Sequence, residues 1–156
     1  MLEWDRVRGE FYRDGSWRDI YVLGTSIEHW QRALDALRSS PFQMRYVRAA
    51  IECPLPSGAA EAFPEPGWAD RLLSVDLHGP IANAHFFTET EIEFDLDPRE
   101  VGSQRELDSI LQFMHLLASA TGREAILTPE NQEHIVIFRV RPNDSRVEYA
   151  PFGGYE

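Results

Sequence analysis

Lysine is missing altogether: the 15 basic residues of this 156-residue chain are all arginine. No function attaches to that bias by itself. The shortage of positive charge is informative, because 26 acidic residues outweigh the arginines and leave a formal net charge of −11. Phosphate contacts need a basic surface, so the balance argues against general nucleic-acid binding. It favours steering toward a basic protein partner. Cysteine is nearly missing too. Cys53 stands alone, which rules out an intramolecular disulfide and fits a reducing, cytoplasmic compartment. It precedes Pro54 with no basic neighbour, so it reads as an inert thiol.

Long apolar runs are also lacking. None approaches the roughly 18 residues of a membrane span, and MLEWDRVRGEF lacks the layout of a signal peptide. No G-x-S-x-G elbow, Walker loop, G-x-G-x-x-G or H-E-x-x-H occurs. These absences favour a non-enzymatic chain without a cofactor.

What is present fits one domain over 1–156, since domains commonly run to roughly 100–150 residues. Residues 5–13 and 18–23 read as a hairpin around Asp14-Gly15. TSIEHWQRALDALRSS reads as a helix, with Thr25 and Glu28 at capping-box spacing. Residues 42–52 read as a strand, followed by a Pro-rich loop over 53–70 that is expected to be an exposed connection. LLSVDL and HFFTETEIEFDLD read as strands separated by GPIANA. SQRELDSILQFMHLLASATG reads as a second helix, opened by Ser103 and Glu106 and closed by Gly122. EAILT and HIVIFRVR complete the strands, and a flexible tail is expected over 149–156. The fold class is therefore α+β: a mainly antiparallel sheet with two helices on one face, in two strand-strand-helix-strand halves.

Three stretches carry candidate function. In FFTETEIEFDLD, alternation puts Phe86, Thr88, Thr90, Ile92, Phe94 and Leu96 on one face of a strand. Glu89, Glu91, Glu93 and Asp95 fall on the other. Such a ladder is either a solvated face, offset across strands by Arg6, Arg8, Arg139 or Arg141, or a docking surface for a basic partner. A hairpin setting His78 opposite His85 would gather Asp76, His78, His85 and Glu89, two imidazoles and two carboxylates suited to a divalent transition metal. The second helix has an apolar arc wider than a half-buried helix needs, extended by Phe113 and Leu116. Those two residues are either core, covered by the loop or by Tyr149, Phe152 and Tyr155 of the tail, or a contact surface for a homodimer or another protein.

In size, acidity and missing catalytic motifs the chain resembles the small α+β proteins that bacteria use as intracellular binding partners, toxin-neutralising immunity proteins among them. The resemblance implies a protein-binding module. A metal-dependent, hydrolase-like enzyme and a structural or oligomerising domain are the alternatives.

Overall fold

The computed structural model describes residues 1–12, 14–63 and 70–152. Helix α1 (Trp4–Val7) runs into a 3-10 turn (Arg8–Phe11), then come β1 (Arg18–Leu23), α2 (Ile27–Arg38), β2 (Gln43–Arg48) and β3 (Ile51–Glu52). A second 3-10 turn (Ala59–Ala62) precedes β4 (Arg71–Asp76), β5 (Ile81–Ala84) and β6 (Glu91–Leu96). After a third such turn (Pro98–Glu100), α3 (Gln104–Thr121), β7 (Ala125–Pro129), β8 (Phe138–Val140) and β9 (Val147–Tyr149) complete the described chain.

The strands form one nine-stranded sheet in the order β3-β2-β4-β5-β6-β1-β7-β8-β9. Every pairing is antiparallel. It follows that β1 and β2, and likewise β6 and β7, run parallel to each other, and α2 and α3 make those two crossovers. The helices touch. Leu34 and Leu37 of α2 and Ile110, Phe113 and Met114 of α3 share one buried cluster with Ile20, Val22, Leu73, Val75, Ile92 and Phe94 of the strands.

The broad α+β architecture is as expected, but several elements differ. Residues 4–11 are helical rather than a strand. Trp4, Val7 and Phe11 are spaced by three and four residues, so the stripe that read as alternation is equally a helical face. Trp4 and Phe11 stack on it at 5.8 Å. The expected strand over 42–52 is a hairpin, because Ala49 and Ala50 adopt φ of 52° and 63° and reverse the chain. The expected strand over 85–97 begins only at Glu91, and IANA, expected in a loop, is itself strand β5. The two matching halves are therefore not present: β4, β5 and β6 form a three-stranded meander before α3.

The α2 cap lies one residue later than expected. Ser26 is the N-cap, and its N–H donates to His29 Nδ1 at 3.0 Å. Thr25 instead donates its hydroxyl to the Glu89 carbonyl at 2.7 Å, pinning the segment before β6 to the start of α2. The α3 boundaries agree with expectation, from the Ser103 N-cap to Gly122 in the left-handed region at φ 68°.

Much of the Pro-rich loop is packed rather than exposed. Ala59 and Ala62 are buried, and Phe63 lies edge-on against Trp30 at 5.2 Å. Residues 64–69 of that loop, Arg13 of the first expected strand and the tail residues 153–156, with Tyr155, lie outside the described residues. Among those described, no helix is long and apolar enough to cross a membrane.

Candidate functional site

β1 and β6 lie side by side at the middle of the sheet, and their register decides what the carboxylate ladder faces. Asp19 pairs with Asp95, Tyr21 with Glu93 and Leu23 with Glu91. On the far side of β6, Asn83 pairs with Asp95. Ile92, Phe94 and Leu96 are buried on the helix side, so alternation turns Glu91, Glu93 and Asp95 to the opposite face. Like charges set directly across a strand pair repel. Here Asp19 and Asp95 are placed that way at the centre of the sheet.

Partial burial sharpens the conflict. Asp19 is only 1% exposed, and its Oδ2 accepts from the Tyr21 hydroxyl at 3.2 Å and the Asn131 N–H at 2.7 Å. Burial nevertheless holds its pKa above the ordinary aspartate value, with Asp95 and Glu130 adding to the rise. Burial also raises Asp95, against the pull of nearby His85. Glu93 is pushed up to about 7, first by burial and then by the charges of Asp19, Glu91 and Asp95. Glu91 is raised by burial and by Glu133. Asp95 Oδ2 lies 3.4 Å from His85 Nε2, while its Oδ1 is buried without a hydrogen bond.

Asp19, Glu93, Asp95 and Glu130 contribute to a cavity of about 550 Å³ whose lining includes the rings of Trp17, His85 and Phe87. Phe87 is 72% exposed and Trp17 37% exposed. The His85 and Phe87 rings stack at 5.2 Å and 11°. Between those two residues, Phe86 takes φ of 56°, a costly conformation for a bulky side chain. Its ring is buried against Trp30 at 5.1 Å and Phe63 at 5.6 Å. Anchoring Phe86 in the core leaves its neighbours on the cavity side.

The arginines expected to offset the ladder are engaged elsewhere. Arg6 lies over the Tyr149 ring at 5.3 Å. Arg139 pairs with Glu124 and Glu148, and Arg141 with Glu148. Arg8 is exposed and makes no ion pair with the ladder. Among the described residues, no arginine forms an ion pair with Asp19, Glu91, Glu93 or Asp95.

The residues considered for a metal are not brought together. The turn between β4 and β5 is tighter than expected, with Leu77 N–H donating to the Pro80 carbonyl at 2.8 Å. His78 therefore sits in the turn at φ 61°, against the Phe42 ring at 5.4 Å, and is not opposite His85. Asp76 accepts from the Gly79 N–H at 3.1 Å. Glu89 is exposed in the segment before β6, apart from the strand-borne ladder. Among the described residues, no group of three or more His, Cys, Asp or Glu side chains is arranged to hold a metal ion.

The helix contact surface also changes. Phe113 is fully buried, edge-on to Phe94 at 5.0 Å and Phe42 at 6.2 Å, and gives no surface to a partner. Leu116 is partly buried against the same core. Tyr149, placed in the tail by the sequence, lies in β9 and donates its hydroxyl to buried Glu10 at 2.7 Å.

Sequence reasoning missed Trp17, Asp19, Tyr21, Glu130 and Asn131. Alternation in RDIYVL does put Asp19 and Tyr21 on one face. Nothing local says that this face adjoins Glu93 and Asp95 more than seventy residues later. Comparison with protein-family models, with curated proteins and with solved structures finds no match.

Proposed function

We propose that the chain is a non-enzymatic binding module whose acidic sheet face docks a basic surface of a protein partner. One observation carries the reading. Asp19, Glu93 and Asp95 are gathered and partly desolvated, and among the described residues no arginine forms an ion pair with them. A solvated face would be expected to spread or pair such charges, because uncompensated buried carboxylates cost stability. A cationic partner would supply the missing compensation and gain long-range steering. Neutralisation of a toxin through its basic surface, within the cytoplasm, is the most concrete form of this role.

The two alternatives have less support. The metal-enzyme reading needs Asp76, His78, His85 and Glu89 at one place, and they are dispersed over a turn and a loop. The oligomer reading needs Phe113, which is in the core.

The test is capture from the native cell extract with wild type and with Glu91→Arg/Glu93→Arg, followed by association kinetics on the captured partner. The double reversal is expected to slow association strongly at low salt and to matter less as salt rises, since screening sets in beyond about 8–10 Å. An association rate unchanged by the reversal at low salt would end the docking proposal.

A further inference from the structure

We infer that the cavity beside β1 and β6 receives the guanidinium of an arginine side chain carried by the partner, held by Asp19, Glu93 and Asp95 and stacked between Trp17 and Phe87. The inference rests on the docking reading and names the group that the face recognises.

Four observations converge on an arginine. The cavity, at about 550 Å³, is within the size range of a ligand pocket and well above that of a single ion. Asp19 and Asp95 are directly opposed on neighbouring strands and both line the cavity, so a cation with several donors suits them better than a single-point donor. Glu93 lines the same cavity with its carboxyl partly buried and no ion-pair partner among the described residues, a charge left uncompensated at a cost. Trp17 and Phe87 present exposed rings on the same cavity, and aromatic faces favour the flat, weakly hydrated guanidinium over an ammonium. The carboxylates alone would not specify this occupant; the rings do.

Protonation gives the site a direction in pH. Asp19 faces it from β1, Glu93 and Asp95 from β6, His85 from the segment after β5 and Glu130 from the segment after β7, with Tyr21 and Glu91 beside them on β1 and β6. As pH rises, the raised carboxyls of Asp19, Glu91, Glu93 and Asp95 gain negative charge. All therefore favour a cation in the same sense. With Glu93 at about 7, its ionised fraction rises about tenfold between pH 6 and pH 8.

The experiment titrates Nα-acetyl-arginine amide into the isotope-labelled full chain and follows the Trp17 indole N–H by NMR. Saturable binding is expected, about tenfold stronger at pH 8 than at pH 6. Nα-acetyl-citrulline amide, the same shape without the charge, should bind at least about tenfold more weakly. Glu93→Gln and Asp95→Asn, which preserve shape, should each weaken the arginine probe by about tenfold at pH 8. Absence of saturable binding, or equal binding of the citrulline probe, overturns the assignment. Agmatine binding far more tightly than the capped arginine amide also overturns it, since the site would then suit a free small cation. If the arginine probe fails while Glu91→Arg/Glu93→Arg still abolishes partner association, the cavity assignment falls and the docking face stands. If the probe binds but the reversal leaves association intact, both fall.

Discussion

Glu93 shows how a single side chain can set the pH response of the whole protein. Its carboxyl titrates near the ordinary glutamate value of 4.5 when unfolded and at about 7 when folded. Between those values the folded state holds a proton that the unfolded state has released, so stability falls as pH rises through the window. Below it the penalty is absent; above it the penalty is complete. Asp19 and Asp95, also raised by burial, tilt the curve the same way. Glu93→Gln should therefore raise the melting temperature at pH 8 and lose that advantage near pH 4, as followed by calorimetry across pH. A variant that melts lower than wild type at pH 8 would contradict this. At the core, Phe113→Ala should cost about 3–5 kcal/mol, because it opens a cavity among packed rings. Denaturant titration measures that loss. Leu116→Glu, at a partly buried site, should cost about 1–3 kcal/mol and leave a folded chain.

At the scale of elements, the segments that were legible are those whose signals are local. α3 combines a long apolar stripe with a Ser103 cap and a Gly122 stop, and its ends were readable to the residue. β1 has clean boundaries in Trp17 and Gly24. The failures have equally local causes. At residues 4–11 only two or three apolar positions are available, too few to separate a period of 2 from one of 3.6. The β2–β3 reversal uses Ala49-Ala50, which carries none of the Gly, Asn or Asp that normally marks left-handed positions. That choice leaves strain in place. Replacing the pair with Asn-Gly should stabilise the protein by about 1 kcal/mol without touching the core, read as a shift in the denaturation midpoint. A loss of stability would mean that the turn is held by contacts stronger than its own backbone preference.

At the scale of the molecule, what the sequence conceals is adjacency. The ladder itself was visible in EIEFDLD, and so was the question of what offsets it. The answer depends on which strand lies next to β6, and that strand is β1, which precedes it by some seventy residues. No periodicity encodes such a pairing. The arginines named as partners from alternation alone lie on α1 (Arg6), in the 3-10 turn after it (Arg8), on β8 (Arg139) and just beyond β8 (Arg141), and the sheet order puts two strands between β8 and β6. Net charge gives the sign of the excess, while the place where that charge is concentrated emerged only from topology.

The central position of β1 has a consequence for the timing of synthesis. The first strand to leave the ribosome has both its neighbours, β6 and β7, still untranslated, and β7 ends at Pro129. At about 5–20 residues per second, β1 waits several seconds before its edges are covered. During that wait its IYVL stretch is an unpaired apolar edge of the kind that invites aggregation. Asp19 and Glu130 line one cavity from the two sides of this long wait, so a nascent chain cannot present it until β7 and the residue after it have been made. A partner of the kind proposed would meet its docking face only late in synthesis.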